Sequence, residues 1–501
     1  MFLLVVIPWV NPFASGPSPA VVPLLLSWVC AALVFLAFVF YSAGRMSALL
    51  PMTVSQAWLA AGLASCCLGL IQCFNLSEYF QPWINQPPLG QVFANLRQRN
   101  QFASLTNIAL AALVWMVHQH LGRVGEVKPR YLWLAVAAAG LLAVGNAISS
   151  SRTGLFQLLL IGVLSGVWGG WRLVWIRRLL ICAVLAYAAA VFAMPFFTGF
   201  DVIGYGAFSR MRQDEACGSR LMLWSNVLHL IAQKPWLGWG WGELDYVHFI
   251  TLYNEPRFCD ILDNAHNLPL QLAVELGVPV AVLICGGFVW WVVRQKPWAE
   301  LDATRQMAWA VMAVILLHSM LEYPLWYGPF QMAFGICVLL LRPRKLPLEP
   351  ENSVKKASNW PVAHILWAQA ATILIAFVGY AAWDYQRISQ IYLPPESRES
   401  AYRTDTLNKI RSSWLFADQV QFAELLTTPL TLANADWTFN TARQLLHYSP
   451  EPRVVERLIE SAVMLGRDDD ALAYLVRYRA AFPKEYALWA KSDVGLAALK
   501  N

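Results

Sequence analysis

A chain of 501 residues in which 58% are hydrophobic and only 14% charged is not a soluble globular protein, since soluble domains carry about 25% charged residues. The net charge of +6 calls for no nucleic acid, because a basic excess follows when cytoplasmic loops gather Lys and Arg. Repeated apolar runs of about 20 residues, each long enough to cross a bilayer, point instead to a multi-pass protein in contact with membrane lipid.

The apolar spans are expected at 1–11, 20–42, 50–73, 102–121, 131–149, 154–175, 179–198, 268–292, 306–322, 327–342 and 361–383, about eleven membrane helices in an all-α fold. The 24 tryptophans and 17 tyrosines supply aromatic belts at the two interfaces. Met1 to Val10 is apolar but lacks a basic start and a small-residue cleavage site, so no cleavable signal peptide is expected. Alternate connections hold Arg45; Arg123, Lys128 and Arg130; Arg172, Arg177 and Arg178; Arg294, Lys296 and Arg305; and Arg342, Arg344, Lys345, Lys355 and Lys356. The bias of positive charge toward the cytoplasm puts these inside. The remaining connections, 12–19, 74–101, 150–153, 199–267 and 323–326, and the tail 384–501, then lie outside. Four parts follow: membrane helices in 1–198, a large outer loop with an amphipathic helix in 199–267, membrane helices in 268–383, and a polar helical tail in 384–501.

The tail changes composition. Amphipathic helices are expected near 435–447, 452–465 and 469–482, broken at Pro450 and Pro483, with Gly466 and Arg467 closing the middle one. The run from Ala471 to Pro483 resembles a tetratricopeptide-type hairpin, which serves as a protein-binding module or as a structural cap. Among nine cysteines, Cys217 and Cys259 share the outer loop. In an oxidising compartment they are able to pair and close that loop, but spacing alone leaves the pairing open. No CxxC or HExxH spacing occurs, so no metal site is expected.

The few basic residues on the outer side run against the charge bias and ask for a local reason. These are Arg97, Arg99, Arg152, Arg210, Arg212 and Arg220. A guanidinium binds diphosphate through a planar fork; the plain alternative is snorkelling to lipid headgroups. His266 precedes an apolar helix expected to start near Asn267, with Pro269 in its first turn. The partially positive helix end disfavours an imidazolium and favours a nearby anion, so the ring is suited to accept a proton. The alternative is a capping or interfacial histidine. Gln271 and Glu275 continue the Asn267 stripe at i+4 spacing. A carboxylate at position 275 is expected to face the protein interior or a wet cavity, positioning substrate or histidine, or bonding a neighbouring helix. The turn from Glu322 through Tyr323 to Tyr327 offers interface anchors, or hydroxyls for a sugar or diphosphate.

Five segments carry a resemblance: Asn95-Leu96-Arg97-Gln98-Arg99-Asn100-Gln101; Ser151-Arg152-Thr153-Gly154; Lys234-Pro235-Trp236-Leu237-Gly238-Trp239-Gly240; Ala265-His266-Asn267-Leu268-Pro269-Leu270-Gln271 with Glu275-Leu276-Gly277; and Glu322-Tyr323-Pro324-Leu325-Trp326-Tyr327. With the tail, including His447-Tyr448-Ser449-Pro450, they resemble the bacterial protein O-oligosaccharyltransferases of the pilin-glycosylating type, in the O-antigen ligase and polymerase superfamily. The resemblance implies a GT-C-like membrane glycosyltransferase of the bacterial inner membrane, with its active site and tail in the periplasm. It implies an oligosaccharide donor on undecaprenyl diphosphate, a Ser or Thr acceptor in pilin or another periplasmic protein, and no cofactor. His266 matches the family's essential residue, Arg152 and Arg220 match arginines implicated with the diphosphate, and Gln101 and a tyrosine of the 322–327 turn match residues of donor engagement. With Arg97, Arg210, Glu275, Glu322, Tyr323 and Tyr327 these are the candidate site residues. The runner-up is an O-antigen ligase or O-antigen polymerase, which shares the chemistry but takes a sugar hydroxyl as acceptor.

Overall fold

The computed structural model describes residues 1–40, 43–123, 129–198, 218–342, 362–492, 495 and 498, and among them every regular element is helical. The helices are α1 Phe2–Val10, α2 Val21–Phe40, α3 Ala43–Cys73, α4 Arg99–Arg123, α5 Pro129–Ile148, α6 Arg152–Val167, α7 Val174–Thr198, α8 Arg220–Gln233, α9 Leu244–Ile250, α10 Leu268–Leu276, α11 Val278–Gln295, α12 Ala303–Ser319, α13 Gly328–Leu340 and α14 Val362–Ser389. The tail adds α15 Thr406–Ile410, α16 Ala417–Thr427, α17 Ala435–Leu445, α18 Pro452–Met464, α19 Asp468–Ala481 and α20 Pro483–Trp489. Among the described residues six stretches are long and apolar enough to cross a membrane: Leu49–Cys73, Arg99–Leu121, Pro129–Ile148, Val174–Met194, Val278–Ala299 and Ile365–Tyr392. Val21–Ala37, Arg152–Val167 and Gly328–Leu340 are shorter apolar helices. The fuller count of about eleven stays an expectation of the charge and hydropathy pattern.

Two expected spans are drawn differently. The span at 154–175 ends at Val167, because Gly169 turns left-handed (φ 74°) and the Trp168 indole donates to Pro297 O at 2.8 Å. The span at 268–292 is two helices. Gly277 breaks it at φ 89° and ψ 156°, a conformation open to glycine and not to other residues. The crossing helix therefore starts at Val278, and α10 stands before it.

Two compact units are formed, Met1–Met211 with Val292–Ala382, and Arg212–Trp291 with Trp383–Asn501. Residues 218–267 of the long loop and the tail, distant in sequence, thus share the second unit.

In the first unit α4 is the central helix. Of its most apolar stretch 83% is buried, against 44% for α5, so α4 is wrapped by protein. Small residues allow the close approach that membrane helices need without a hydrophobic drive between them. A Cβ at Gly62 would lie 2.4 Å from Ala109 Cβ, and one at Gly145 would lie 2.3 Å from Cys66 Sγ.

In the second unit the tail packs α17, α18 and α19 around Phe439, Leu446, Val455, Leu458, Ile459 and Tyr478. α18 ends in a left-handed Gly466, with Gly466 N–H donating to Val463 O (3.0 Å) and Arg467 N–H to Ala462 O (2.9 Å). This is a Schellman closure, and it accounts for the helix stop read from Gly466 and Arg467. Phe249 of α9 is 1% exposed within the same core.

Candidate active site

The site residues fall into two constellations, one in each unit. In the first unit three connections, 74–98, 149–151 and 320–327, meet at one end of the bundle. Ser151 is the N-cap of α6, its hydroxyl accepting from Gly154 N–H at 3.0 Å. The same hydroxyl donates to Asn100 Oδ1 at 2.6 Å, and Asn100 Nδ2 donates to Glu322 Oε1 at 3.3 Å. Asn100 therefore ties the starts of α4 and α6 to the turn between α12 and α13. Glu322 is buried, and its N–H donates to His318 O at 2.8 Å. After it, Tyr323 and Tyr327 stack with ring centroids 5.7 Å apart.

Gly154 explains why its motif needs a glycine. A Cβ there would lie 2.2 Å from Asn146 Oδ1 and 2.5 Å from Ala103 Cβ. Its carbonyl also accepts from Asn107 Nδ2 (3.1 Å) and Asn146 Nδ2 (3.0 Å). Arg152, beside this locked turn, is exposed on the protein. Gln101 is buried, with its side-chain Nε2 lacking a hydrogen-bond partner. Arg97 has left-handed backbone (φ 60°), and its Nη2 donates to the Pro12 carbonyl. That bond and partial burial, which lowers its pKa, make part of its function the anchoring of the 11–20 connection.

In the second unit the site is built around α10. Asn267 caps it, its side chain accepting from Leu270 N–H at 3.1 Å, and Pro269 sits in the first turn as expected. His266, just outside, is half-buried with φ 50°, and a non-glycine residue held left-handed marks a place where the surroundings override local preference. Those surroundings are specific. Asn264 Oδ1 accepts from His266 N–H (2.8 Å), Gln271 Oε1 accepts from Ala265 N–H (2.6 Å), and the Trp224 indole donates to Ala265 O (3.1 Å). Both backbone groups of residue 265 are thus tied, and the turn that aims the imidazole is fixed.

Trp224 is on α8, one turn after Arg220, so the two share a face. Ser219 caps α8 by accepting from Met222 N–H at 3.2 Å, and Arg220 is its first residue. Leu223, Val227 and Leu230 bury α8 against Leu272 and Val274 of α10. Leu221 and Leu228 stay exposed on the other face, the apolar surface expected of a helix lying on a bilayer.

The Trp/Gly run closes the far end of α10. A helix leaves its last four carbonyls without intrahelical partners. Here Gly277 N–H takes Ala273 O (3.1 Å), Trp239 N–H takes Val274 O (2.9 Å) and Gly240 N–H takes Glu275 O (2.9 Å). Gly242 N–H donates to Glu275 Oε1 at 2.9 Å. The backbones come so near that a Cβ at Gly238 would sit 2.4 Å from Glu275 O, and one at Gly277 2.2 Å from Trp236 O. The motif is therefore a backbone clamp on the helix that follows His266.

Burial pushes the Glu275 carboxyl up to about 7. Its Oε2 is buried without a hydrogen-bond partner, as suits a group that holds a proton rather than a charge. Asp245 rises to about 7 as well, through burial and then the nearby Asp263 and Glu243. His248 is fully buried. Its Nε2 lies 3.1 Å from Phe258 O and so donates, leaving Nδ1 to accept from Tyr253 OH at 2.8 Å. Burial and then Arg257 lower its pKa to about 3, so His248 is a neutral structural histidine and not a rival base.

Arg210, Arg212 and Cys217 lie outside the described residues. Cys259 is disulfide-bonded. Among the described residues no group of three or more His, Cys, Asp or Glu is arranged to hold a metal ion. Asn100, Ser151, Gln271 and Trp224 emerge as the residues that hold the candidates in place. Asn100 sits in a segment the sequence reading singled out, but its partners are 51 and 222 residues away, and no local spacing reveals them.

Comparison with known proteins bears out the resemblance. Residues 137–285 match the family model described as O-Antigen ligase, 92–117 the one described as Protein glycosylation ligase, and 306–496 the C-terminal model of a virulence factor membrane-bound polymerase. The chain is 25% identical over 327 residues to a General O-oligosaccharyltransferase of Acinetobacter baylyi, covering 62% of this chain and 54% of that protein. It is 22% identical over 249 residues to a ComP-specific O-oligosaccharyltransferase of the same organism, covering 49% and 43%. The chain spans about half the length of the curated relatives it matches. No solved structure matches it.

Proposed function

We propose that this chain, akin to the pilin-type O-oligosaccharyltransferases of the O-antigen ligase superfamily, is itself a protein O-oligosaccharyltransferase. It moves a glycan from undecaprenyl diphosphate to a Ser or Thr hydroxyl of a periplasmic protein such as pilin. The observation that carries the reading is His266: a half-buried imidazole in a left-handed turn, with the preceding residue tied by Trp224 and Gln271 and the following helix clamped at its far end. Such expenditure of structure on one ring is what a general base requires, because proton transfer depends on placement before it depends on pKa.

In the proposed reaction the acceptor oxygen attacks the anomeric carbon as the bond from that carbon to the diphosphate breaks. The hydroxyl proton passes to the His266 imidazole, and undecaprenyl diphosphate leaves with the bonding electrons. Direct displacement inverts the anomeric configuration. Arg152 and Arg220 neutralise the charge growing on the leaving group, with Arg97 and Arg210 contributing to the field. Gln101, Glu322, Tyr323 and Tyr327 engage the donor, and the unsatisfied Gln101 amide supports a contact that only the substrate supplies. Glu275 acts on the position of His266 through α10.

His266→Ala tests the reading. A positioned general base is worth roughly 10²–10⁴ in rate, so the variant inserts normally and loses glycosylation in a cell-based pilin mobility assay. Near-normal transfer by that variant removes His266 from the mechanism. The match to the O-antigen ligase model supports a second reading in which the acceptor is a sugar hydroxyl. Supplying the purified protein with pilin in one reaction and lipid A-core in another separates the two.

A further inference from the structure

The tail histidine His447 has no part in the reaction proposed above. Yet it makes two contacts with the loop that bears the site, far from it in sequence. Its Nδ1 lies 2.7 Å from Glu243 Oε2. A carboxylate only accepts, so Nδ1 carries the proton and donates. Its ring stacks on Tyr246, with centroids 3.7 Å apart and planes 29° apart. These contacts grip the first turn of α9, of which Glu243 is the N-cap. At the last turn Arg477 Nε donates to Ile250 O at 2.8 Å, and beside it Phe249 is buried in the tail's core and stacks on Phe482. The tail thus holds α9 at both ends.

α9 is joined to the clamp by no more than Gly242 and Trp241. Gly240 and Gly242 donate to the backbone and side chain of Glu275, and Glu275 lies on the helix whose first turn is set by Gln271 and Asn267 behind His266. We infer that His447 is a positioning residue for the proposed transfer. By holding Glu243 and Tyr246 it keeps the Gly240–Gly242 segment seated on Glu275, and so keeps the axis of α10 and the aim of His266. On this account the helical tail is part of the catalytic unit, its core filled by a segment of the same chain. The proposed coupling runs through a continuous set of hydrogen bonds and packed rings, and measured coupling between its ends is what establishes such a path.

The inference rests on the proposed function, and the test separates the two. Purified full-length protein in detergent is given a lipid-linked glycan and pilin, and kcat and KM are measured for wild type, His447→Ala, His447→Asn, Glu243→Ala and the double variant. Loss of one such hydrogen bond weakens seating by roughly three- to tenfold. His447→Ala is expected to lose kcat by about that factor with both KM values within about twofold, as for a defect confined to the reacting geometry. His447→Asn places an amide N–H where Nδ1–H stands, and restores at least half of the lost kcat. His447→Ala in the Glu243→Ala background costs less than in wild type, because the shared hydrogen bond is already gone and only the stack on Tyr246 is left to lose. A kcat unchanged in His447→Ala, a loss expressed only in KM, or no rescue by Asn overturns the inference. Amide exchange at Gly240 and Gly242 is measured alongside, and His447→Ala is expected to speed it three- to tenfold. Unchanged exchange overturns the coupling even if no variant is active. A wild type that transfers no glycan overturns the functional reading alone and leaves the exchange result to decide the coupling.

Discussion

Glu275 offers the sharpest test of how the loop holds the site. Its Oε1 accepts from Gly242 N–H at 2.9 Å, its Oε2 is buried with no hydrogen-bond partner, and burial lifts the carboxyl from an ordinary 4.5 to about 7. Glu275→Ala removes one hydrogen bond and one buried methylene with the carboxyl, about 1–2.5 kcal/mol together. Read as local opening, that is roughly a 5- to 70-fold loss of amide protection at residues 239–242. Glu275→Gln keeps an acceptor for Gly242 and carries no charge, so it holds protection near the wild-type level. The pH dependence has a definite sign. Between about pH 4.5 and 7 the folded protein keeps the proton that the unfolded chain has released, so stability from this group is full below that window and falls as pH rises through it. Protection factors of wild type therefore decline from pH 5 to pH 8 relative to Glu275→Gln. Equal protection in the Ala and Gln variants would show that the Gly242 bond contributes nothing. A wild type that gains protection over Gln with rising pH would show that Glu275 is held as a carboxylate.

Four other outcomes follow from the geometry. Gly154→Ala places a methyl 2.2 Å from Asn146 Oδ1 and 2.5 Å from Ala103 Cβ, so α4, α5 and α6 part and the yield of folded protein in membranes, read by detergent size exclusion, collapses. Gly277→Ala combines a left-handed backbone at about 1–3 kcal/mol with a clash 2.2 Å from Trp236 O; limited proteolysis then cuts near 235–242, where wild type resists. Trp224→Phe removes the bond to Ala265 O, worth about 1 kcal/mol, and the part of the indole that a phenyl ring does not replace, and lowers kcat more than expression or melting. Arg152→Lys keeps the charge and loses the planar fork, so transfer falls well below wild type; equal activity would mean that Arg152 acts as a bulk field.

The legibility of this chain in its sequence follows a physical divide. Signals that act within a few residues were readable. Asn267 caps α10 with Pro269 behind it, Gly466 and Arg467 close α18, and the apolar stretches lie on helices, because capping, turn formation and hydropathy are local properties. The misplaced ends had partners elsewhere. Nothing near Gly277 announces that Trp236 will press its carbonyl against it, and an apolar run with one glycine reads as unbroken. Trp168 likewise ends α6 with a partner at Pro297, across 129 residues.

The candidate residues divide the same way, and the division shows what their motifs are for. Arg152 and His266 were visible as charged or titratable groups in unlikely places. The residues around them are neutral amides, hydroxyls, indoles and glycines, which carry no such signal: Asn100 bridging Ser151 and Glu322, Trp224 and Gln271 holding residue 265, Gly238 and Gly277 letting two backbones touch. The turns of Arg152 and His266 thus each combine a candidate group with neutral neighbours that hold its backbone. Gly154 belongs to the second kind, which is why Ser-Arg-Thr-Gly ends in glycine: the arginine's turn needs a backbone that can lie against Ala103 and Asn146. A substitution at such a neutral position therefore imitates loss of a reacting group in an activity assay, and only a readout of local structure tells the two apart.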